Sequence, residues 1–293
     1  MEKLYPTQNH PSSFHGQSIV YPVVSRRSGG VSIGINLSPS KKCNFACAYC
    51  QVNCQRLAEK KILSQLSSEI DLNKLRTEIE KTVKVVLSGD LFTEVRFQDT
   101  PKDKQVLHDF AFSGDGEPTL SPNFPEAVQL VAHLRDSLVS KSVKLVLITN
   151  STTLRAPKTI EGCDALIEKN GEIWAKLDGL NEKIYHKINR SSVPFAEILD
   201  NLVFAASRWP IKIQTMLLRY ENSPPSDEDI DSYTRILDKI ISSGGKIASL
   251  QLYTVARPPI ESNVSALNRH EMDALAELIR HQTGLLTEVY YSR

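Results

Sequence analysis

Three cysteines, Cys43, Cys47 and Cys50, fall within the tract C-N-F-A-C-A-Y-C, with Tyr49 just before the third. Their Cys-x3-Cys-x2-Cys spacing puts three thiolates on one short loop, where they can hold three of the four irons of an iron–sulfur cubane. The fourth iron then has no protein ligand. An open coordination site suits chemistry rather than electron storage, because electron carriers are usually ligated by four cysteines. Cys54 extends the tract to Cys-x3-Cys-x2-Cys-x3-Cys, so spacing alone also allows a complete four-cysteine cluster. A structural zinc site more often uses two separated cysteine pairs. Cys163, beside Gly162, reads as a packing residue.

The elements that carry this loop follow from hydrophobic periodicity. Residues 1–18 bear Pro, Ser and His and predict an irregular arm. V-S-I-G-I-N, from Val31 to Asn36, predicts a strand running into the cysteine loop. Asp71 is placed to N-cap a helix with Leu72, Leu75, Ile79, Val83 and Val86 on one face and Gly89 past its end. The polar stretch from Leu91 to Lys104 is ambiguous and reads as a hairpin. His108 to Ser113 is a second strand. A repeating alternation then begins: helix 124–138, strand Val143 to Thr149, a helix near 160–169, strand Glu172 to Asp178, helix 195–207 and strand Ile211 to Leu218. Helix 227–242, strand Ala248 to Val255 and helix 269–282 complete it, the last with Asn268 as N-cap and Glu271 three residues on. About six β-α units with apolar, β-branched strands predict the α/β class: a partial (β/α)6 TIM-like barrel of parallel strands with N- and C-terminal extensions. The chain reads as a single domain over 1–293, with a core of about 20–260, an arm at 1–19 and a helical extension at 261–293.

Functional residues of parallel α/β folds gather on the loops leaving the C-terminal strand ends. The cysteine tract leaves the first predicted strand, and Gly114-Asp115-Gly116-Glu117-Pro118 leaves the second. Asn150 and Ser151 follow the third, Lys176 and Asp178 end the fourth, Gln214 lies on the fifth and Arg257 follows the sixth. Each has a plain structural reading as well. Gly-Asp-Gly is a common turn, and Asn150 is equally suited to cap the next helix. Lys176 and Asp178 share a strand face and suit a buried ion pair, and Arg257 before two prolines suits a loop brace. His108, His133 and His186 have no ligand-like spacing and read as structural.

The cysteine tract after one strand, together with the Gly-Glu-Pro turn after the next, resembles the radical S-adenosylmethionine (SAM) superfamily over roughly residues 20–260. The flank V-S-R-R-S-G-G-V-S-I-G-I-N-L-S-P is similar to the branch that holds the tRNA wyosine-base (4-demethylwyosine) synthase and its uncharacterised relatives; F-S-G-D-G-E-P-T-L, K-L-D and I-Q-T-M point the same way. The resemblance implies that Cys43, Cys47 and Cys50 hold a [4Fe-4S] cluster whose open iron is chelated by the amine and carboxylate of SAM. One electron would then cleave SAM to methionine and a 5′-deoxyadenosyl radical, which would take a hydrogen atom from substrate. It also implies that Gly114 and Gly116 let backbone approach the SAM amine, with Asp115 in the same turn, and that Glu117 supports the turn or orients the amine. Tyr49 would pack near adenine, and Asn150 and Ser151 would contact ribose or carboxylate. Gln214 would be a further cofactor contact, while Lys176, Asp178 and Arg257 would face SAM or substrate. No cysteine precedes Cys43 here, whereas the wyosine synthase carries a second cluster on upstream cysteines, so a two-cluster chemistry is not expected.

Composition sets the bounds on partners. The chain has 293 residues, 41% apolar and 24% charged, with a formal net charge of +1, so no global field points to nucleic acid or membrane. No apolar run reaches the roughly 18 residues of a bilayer span. The polar N-terminal segment predicts no secretory leader. Five cysteines, three or four of them in one tract, predict a reducing cytoplasm rather than a disulfide framework. Arg26, Arg27, Lys41, Lys42, Arg56, Lys60 and Lys61 flank the cluster loop. They suit an ordinary solvated rim, a docking face for an acidic one-electron reductant such as flavodoxin or ferredoxin, or a local RNA-phosphate contact. Three function classes follow: a radical SAM enzyme on a small molecule or an RNA base, a non-catalytic four-cysteine electron carrier, and a zinc-bearing nucleic-acid module.

Overall fold

The computed structural model describes residues 14–39, 41, 43–52, 69–257, 259 and 261–292. Cys54, Lys42, Arg56, Lys60 and Lys61 lie outside the described residues, as does most of the N-terminal arm. The chain forms two compact units.

The first unit comprises Met1–Lys42, Ser64–Ile148 and Pro157–Glu172. Strand β1 (Val20–Ser25) pairs antiparallel with β2 (Gly30–Ile35), which pairs parallel with β3 (Leu107–Phe112), and β3 pairs parallel with β4 (Lys144–Thr149). Helix α1 (Leu72–Ser88) begins where Asp71 accepts the Asn73 and Lys74 amides and ends at Gly89, whose φ of 82° is the left-handed conformation that glycine adopts without penalty. Leu75, Ile79, Val83 and Val86 are buried along it, as their spacing predicts. Glu78, on the same helix, is buried too, and its carboxylate accepts the Ile19 and Val20 amides at 2.9 and 3.0 Å, fixing the entry to β1. Helices α2 (Phe124–Leu138) and α3 (Pro157–Glu168) follow. In α2, Arg135 is 1% exposed yet satisfied: Nη1 donates to the Val143 and Lys169 carbonyls at 2.8 and 2.9 Å and Nε donates to Asp136.

The second unit comprises Cys43–Leu63, Thr149–Ala156 and Ile173–Arg293. Strand β5 (Gly171–Lys176) pairs parallel with β6 (Ile211–Met216), β6 with β8 (Ile247–Tyr253), and β8 with β10 (Thr287–Tyr290). Two three-residue strands, β7 (Leu218–Tyr220) and β9 (Val264–Ala266), make a separate antiparallel ribbon. The helices are α4 (Glu182–Ile188), α5 (Phe195–Arg208), α6 (Asp227–Ser242) and α7 (Arg269–Thr283). Both α6 and α7 open with reciprocal capping boxes, Ser226 with Asp229 and Asn268 with Glu271.

The parallel strands alternating with helices are of the α/β class expected from the sequence. Several elements differ. Leu91 to Lys104 holds two single 3-10 turns, Asp90–Thr93 and Lys102–Lys104, instead of a hairpin. Strand β1 carries Pro22, which an edge strand tolerates. Residues 261–293, expected to be helical, also contribute β9 and β10. Among the described residues no helix is long and apolar enough to cross a membrane.

Candidate active site

In the second unit the cysteine loop is held from several sides by amides and hydroxyls. The Ala46 and Ala48 amides donate to the Asn189 and Ile188 carbonyls at 3.0 and 2.8 Å, and Cys50 N closes a turn on the Cys47 carbonyl at 2.9 Å. Ser191 Oγ donates to the Asn44 carbonyl at 2.9 Å. Ala48 and Tyr49 pack into an apolar cluster with Ile188, Leu218, Val255 and Val264. A loop fixed in this way can present its thiols without ordering itself anew when a cofactor arrives.

Cys43, Cys47 and Cys50 are thiols, half-buried, and two of their sulfurs receive N–H groups. Phe45 N lies 3.4 Å and Asn150 Nδ2 3.9 Å from Cys43 Sγ, and Asn189 Nδ2 lies 3.6 Å from Cys47 Sγ. N–H groups aimed at cysteine sulfurs favour thiolate and raise the potential of a cluster bound there. Burial pushes the Cys47 thiol up to about 11, against the opposing pull of the Lys176 ammonium; a bound metal reverses that balance, since a coordinated thiol is deprotonated. Among the described residues no three His, Cys, Asp or Glu side chains gather closely enough for a single metal ion. A cubane needs no such convergence, because each cysteine binds a different iron. The donor set therefore fits an iron–sulfur cluster.

Beside the loop, the Tyr49 hydroxyl links two of the strand-end residues. It donates to Asp178 Oδ2 and accepts from Lys176 Nζ at 3.4 Å. Asp178 is 3% exposed; its other oxygen accepts Met216 N at 2.9 Å and the Tyr253 hydroxyl at 3.5 Å. Burial first, then the Asp178 carboxylate, holds the Tyr49 phenol well above its usual range, so it stays a neutral donor. Lys176 Nζ also sits 5.3 Å from the centre of the Tyr49 ring. The sequence suggested a direct Lys176–Asp178 pair; the structure places a phenol between them.

Asn150 does not cap α3, which starts seven residues later at Pro157. Its Nδ2 donates to Asn44 Oδ1 at 2.7 Å, and its Oδ1 accepts the Thr152 amide and hydroxyl at 3.1 and 2.7 Å. Ser151 adopts φ 70°, and its hydroxyl donates to the Lys176 carbonyl at 3.0 Å. Asn201 clamps the Ser151 and Thr152 carbonyls at 3.0 and 2.8 Å. Arg257 Nη1 donates to Gln51, the residue after Cys50, at 2.9 Å. Gln214 is fully buried on β6 and donates to Gln251 at 2.7 Å. Phe45, Asn150, Lys176, Asp178, Tyr185 and Asn189 line a small cleft at this place.

The Gly114-Asp115-Gly116-Glu117-Pro118 turn belongs to the first unit. Asn36, just past β2, organises it: its Oδ1 accepts the Ser38 and Asp115 amides at 3.0 and 3.4 Å, and its Nδ2 donates to Asp115 Oδ2 at 3.2 Å. Gly114 has φ 142°, and a Cβ there would meet Asn36 Cγ at 2.8 Å, so only glycine fits. Glu117 is buried and accepts the Thr119 amide and hydroxyl at 3.2 and 2.6 Å, starting the Pro118–Leu120 turn. Asn36, Asn44, Asn189 and Gln251 were not singled out in the sequence. Asn44 lies inside the cysteine motif and Asn36 inside the flank before it, but Asn189 and Gln251 carry no motif that would mark them.

A family model described as the radical SAM superfamily matches residues 37–233. The chain is 24% identical over 239 residues to the UPF0026 protein of Helicobacter pylori, covering 81% of this chain and 66% of that protein. It is 25% identical over 280 residues to a Brachyspira hyodysenteriae protein named GTPase Obg, covering 93% of this chain and 35% of that protein. The chain thus spans between about a third and two thirds of the length of these relatives. A solved structure of TYW1 with a lysine-pyruvate adduct bound aligns with a TM-score of 0.52 at 15% identity, over 87% of this chain and 74% of that one, a likeness of fold.

Proposed function

The chain belongs to the radical SAM superfamily, and from that premise we propose that Cys43, Cys47 and Cys50 hold the [4Fe-4S] cluster and that the second unit positions SAM and a polar small-molecule substrate beside it. The superfamily binds such a cluster and SAM. When bound, they supply a 5′-deoxyadenosyl radical, through one-electron cleavage of SAM, that takes a hydrogen atom from substrate.

The chain's own residues have distinct tasks in this reading. Asn150 and Asn189 orient the loop and donate toward Cys43 and Cys47. Tyr49 holds Asp178 and Lys176 in fixed positions, so that the Lys176 ammonium is offered to a carboxylate or hydroxyl of SAM or substrate. Ser151 takes part by holding the end of β5, and Arg257 by bracing Gln51. Within the first unit, the glycine at 114 keeps the surface of the Gly114–Glu117 turn clear of a side chain. A flavodoxin- or ferredoxin-type protein supplies the electron. A small-molecule substrate is favoured over RNA because a net charge of +1 gives no general attraction for phosphate.

The observation that carries this reading is the set of three thiols on one braced loop with amide donors aimed at two of them. The test is anaerobic incubation of iron-loaded, dithionite-reduced protein with SAM. Formation of methionine and 5′-deoxyadenosine supports it. An intact, reduced cluster that leaves SAM uncleaved would count against it and favour the electron-carrier alternative, in which Cys54 completes the ligand set.

A further inference from the structure

One row of side chains across β5, β6, β8 and β10 is polar, where the inner layers of α/β barrels are ordinarily filled by branched apolar residues. Lys176 is in register with Gln214, Gln214 with Gln251, and Gln251 with Glu288. Parallel partners in register point to the same face of a sheet. That face is identified by the next residue along β6: Thr215 bonds the Tyr233 hydroxyl of α6 at 2.7 Å, so Gln214 points away from that helix. Gln214 and Gln251 are 0% and 1% exposed.

The row has a direction. A carboxylate only accepts, and Glu288 Oε2 takes the Gln251 amide at 3.2 Å and the Tyr290 hydroxyl at 3.2 Å. Gln251 therefore turns its Oε1 toward Gln214, whose Nε2 donates to it at 2.7 Å. The Gln214 amide is committed by this chain of bonds, and its own Oε1 is left buried without a hydrogen-bond partner among the described residues. Lys176, next in the row, sends its ammonium to the Tyr49 hydroxyl. Buried acceptors without a donor are rare in folded proteins, and one at the end of an oriented amide row awaits a group from outside the protein.

We propose that Gln214 Oε1 accepts an O–H or N–H donor of the ligand bound on this face, with Gln251 and Glu288 as positioning residues that hold its amide in the accepting orientation. The donor comes either from SAM (a ribose hydroxyl or the adenine amine) or from the substrate beyond it. The inference rests on the radical SAM reading only for naming SAM as one ligand.

The test uses full-length, iron-loaded protein with Gln214→Leu and Glu288→Gln, SAM affinity being measured by anaerobic equilibrium dialysis and iron content serving as the check on folding. If SAM is the donor, Gln214→Leu weakens SAM binding about fivefold to tenfold, the worth of one neutral hydrogen bond. Glu288→Gln weakens it less, because an amide at 288 lets the row reverse, and both variants keep their iron. If the substrate is the donor, SAM affinity stays at the wild-type value in both, and a SAM-loaded structure shows Oε1 open to the space beyond the SAM 5′ carbon. The proposal is overturned if that structure shows Oε1 bonded to a protein group or sealed from both ligands. Wild-type protein that keeps its iron but does not bind SAM would instead overturn the radical SAM reading, and the structure without SAM then decides the row by the same criterion.

Discussion

Replacing Tyr49 by Phe removes one oxygen and leaves the ring in its apolar cluster. The lost hydroxyl donates to Asp178, whose carboxylate is 3% exposed, and accepts from Lys176. Asp178 keeps Met216 N and the weaker Tyr253 contact, both on its other oxygen. A hydrogen bond to a charged group contributes about 1.5–3 kcal/mol, and burial places this one toward the upper part of that range. Tyr49→Phe is therefore expected to cost about 2 kcal/mol in urea unfolding of the metal-free protein, equivalent to a melting drop of roughly 3 °C for a chain of this length. Asp178→Asn and the double variant complete a cycle, with a coupling energy of at least about 1 kcal/mol expected between residues that share a bond. The same variant should load less iron, since the hydroxyl joins the cysteine loop to the end of β5. A loss below about 0.5 kcal/mol, or strict additivity in the cycle, would refute the role given to this hydroxyl.

Three further outcomes follow from the same geometry. Asn189→Leu removes the amide donor 3.6 Å from Cys47 Sγ and should lower the cluster's midpoint potential in an EPR-monitored redox titration; an unchanged or higher potential would show that the contact does not act on the cluster. Gly114→Ala places a methyl group against Asn36 at a φ of 142°, and should destabilise the protein by about 1–3 kcal/mol in denaturant; wild-type stability would refute the need for glycine there. Burial raises the Asp109 carboxyl above 3.8, against the hydrogen bonds from Ser28 and Ser32. A raised folded-state pKa makes its contribution to stability complete below the unfolded value and progressively lost as pH rises through the folded one. Wild type should therefore lose stability relative to Asp109→Asn as pH rises from below 3.8 toward neutrality, and parallel stability–pH curves would contradict this.

Long periodic elements were legible in the sequence. Helix α1 shows both its caps, Asp71 and Gly89, and α7 shows its Asn268–Glu271 box, because these residues act within a turn of where they stand. Strands β7, β9 and β10 are three or four residues long, too short for alternation to register, and Pro22 disguises β1. The cysteine tract and the glycine turn announce themselves because their chemistry needs local spacing. Asn189 reaches Cys47 across 142 positions and Asn36 reaches Asp115 across 79, and no local pattern encodes such pairs. Gln214 was visible as a polar residue on a strand, but its orientation depends on Gln251 and Glu288, which only the register of three strands brings into line.

The most direct test of the account concerns the fourth iron. Anaerobically reconstituted protein should hold about four irons per chain, lose them in Cys43→Ser and keep them in Cys54→Ser. After reduction, its EPR signal should change when SAM is added, because SAM binds an iron that no cysteine occupies. A reduced cluster whose spectrum ignores SAM and that disappears in Cys54→Ser would contradict the account, and would make this loop a four-cysteine electron carrier.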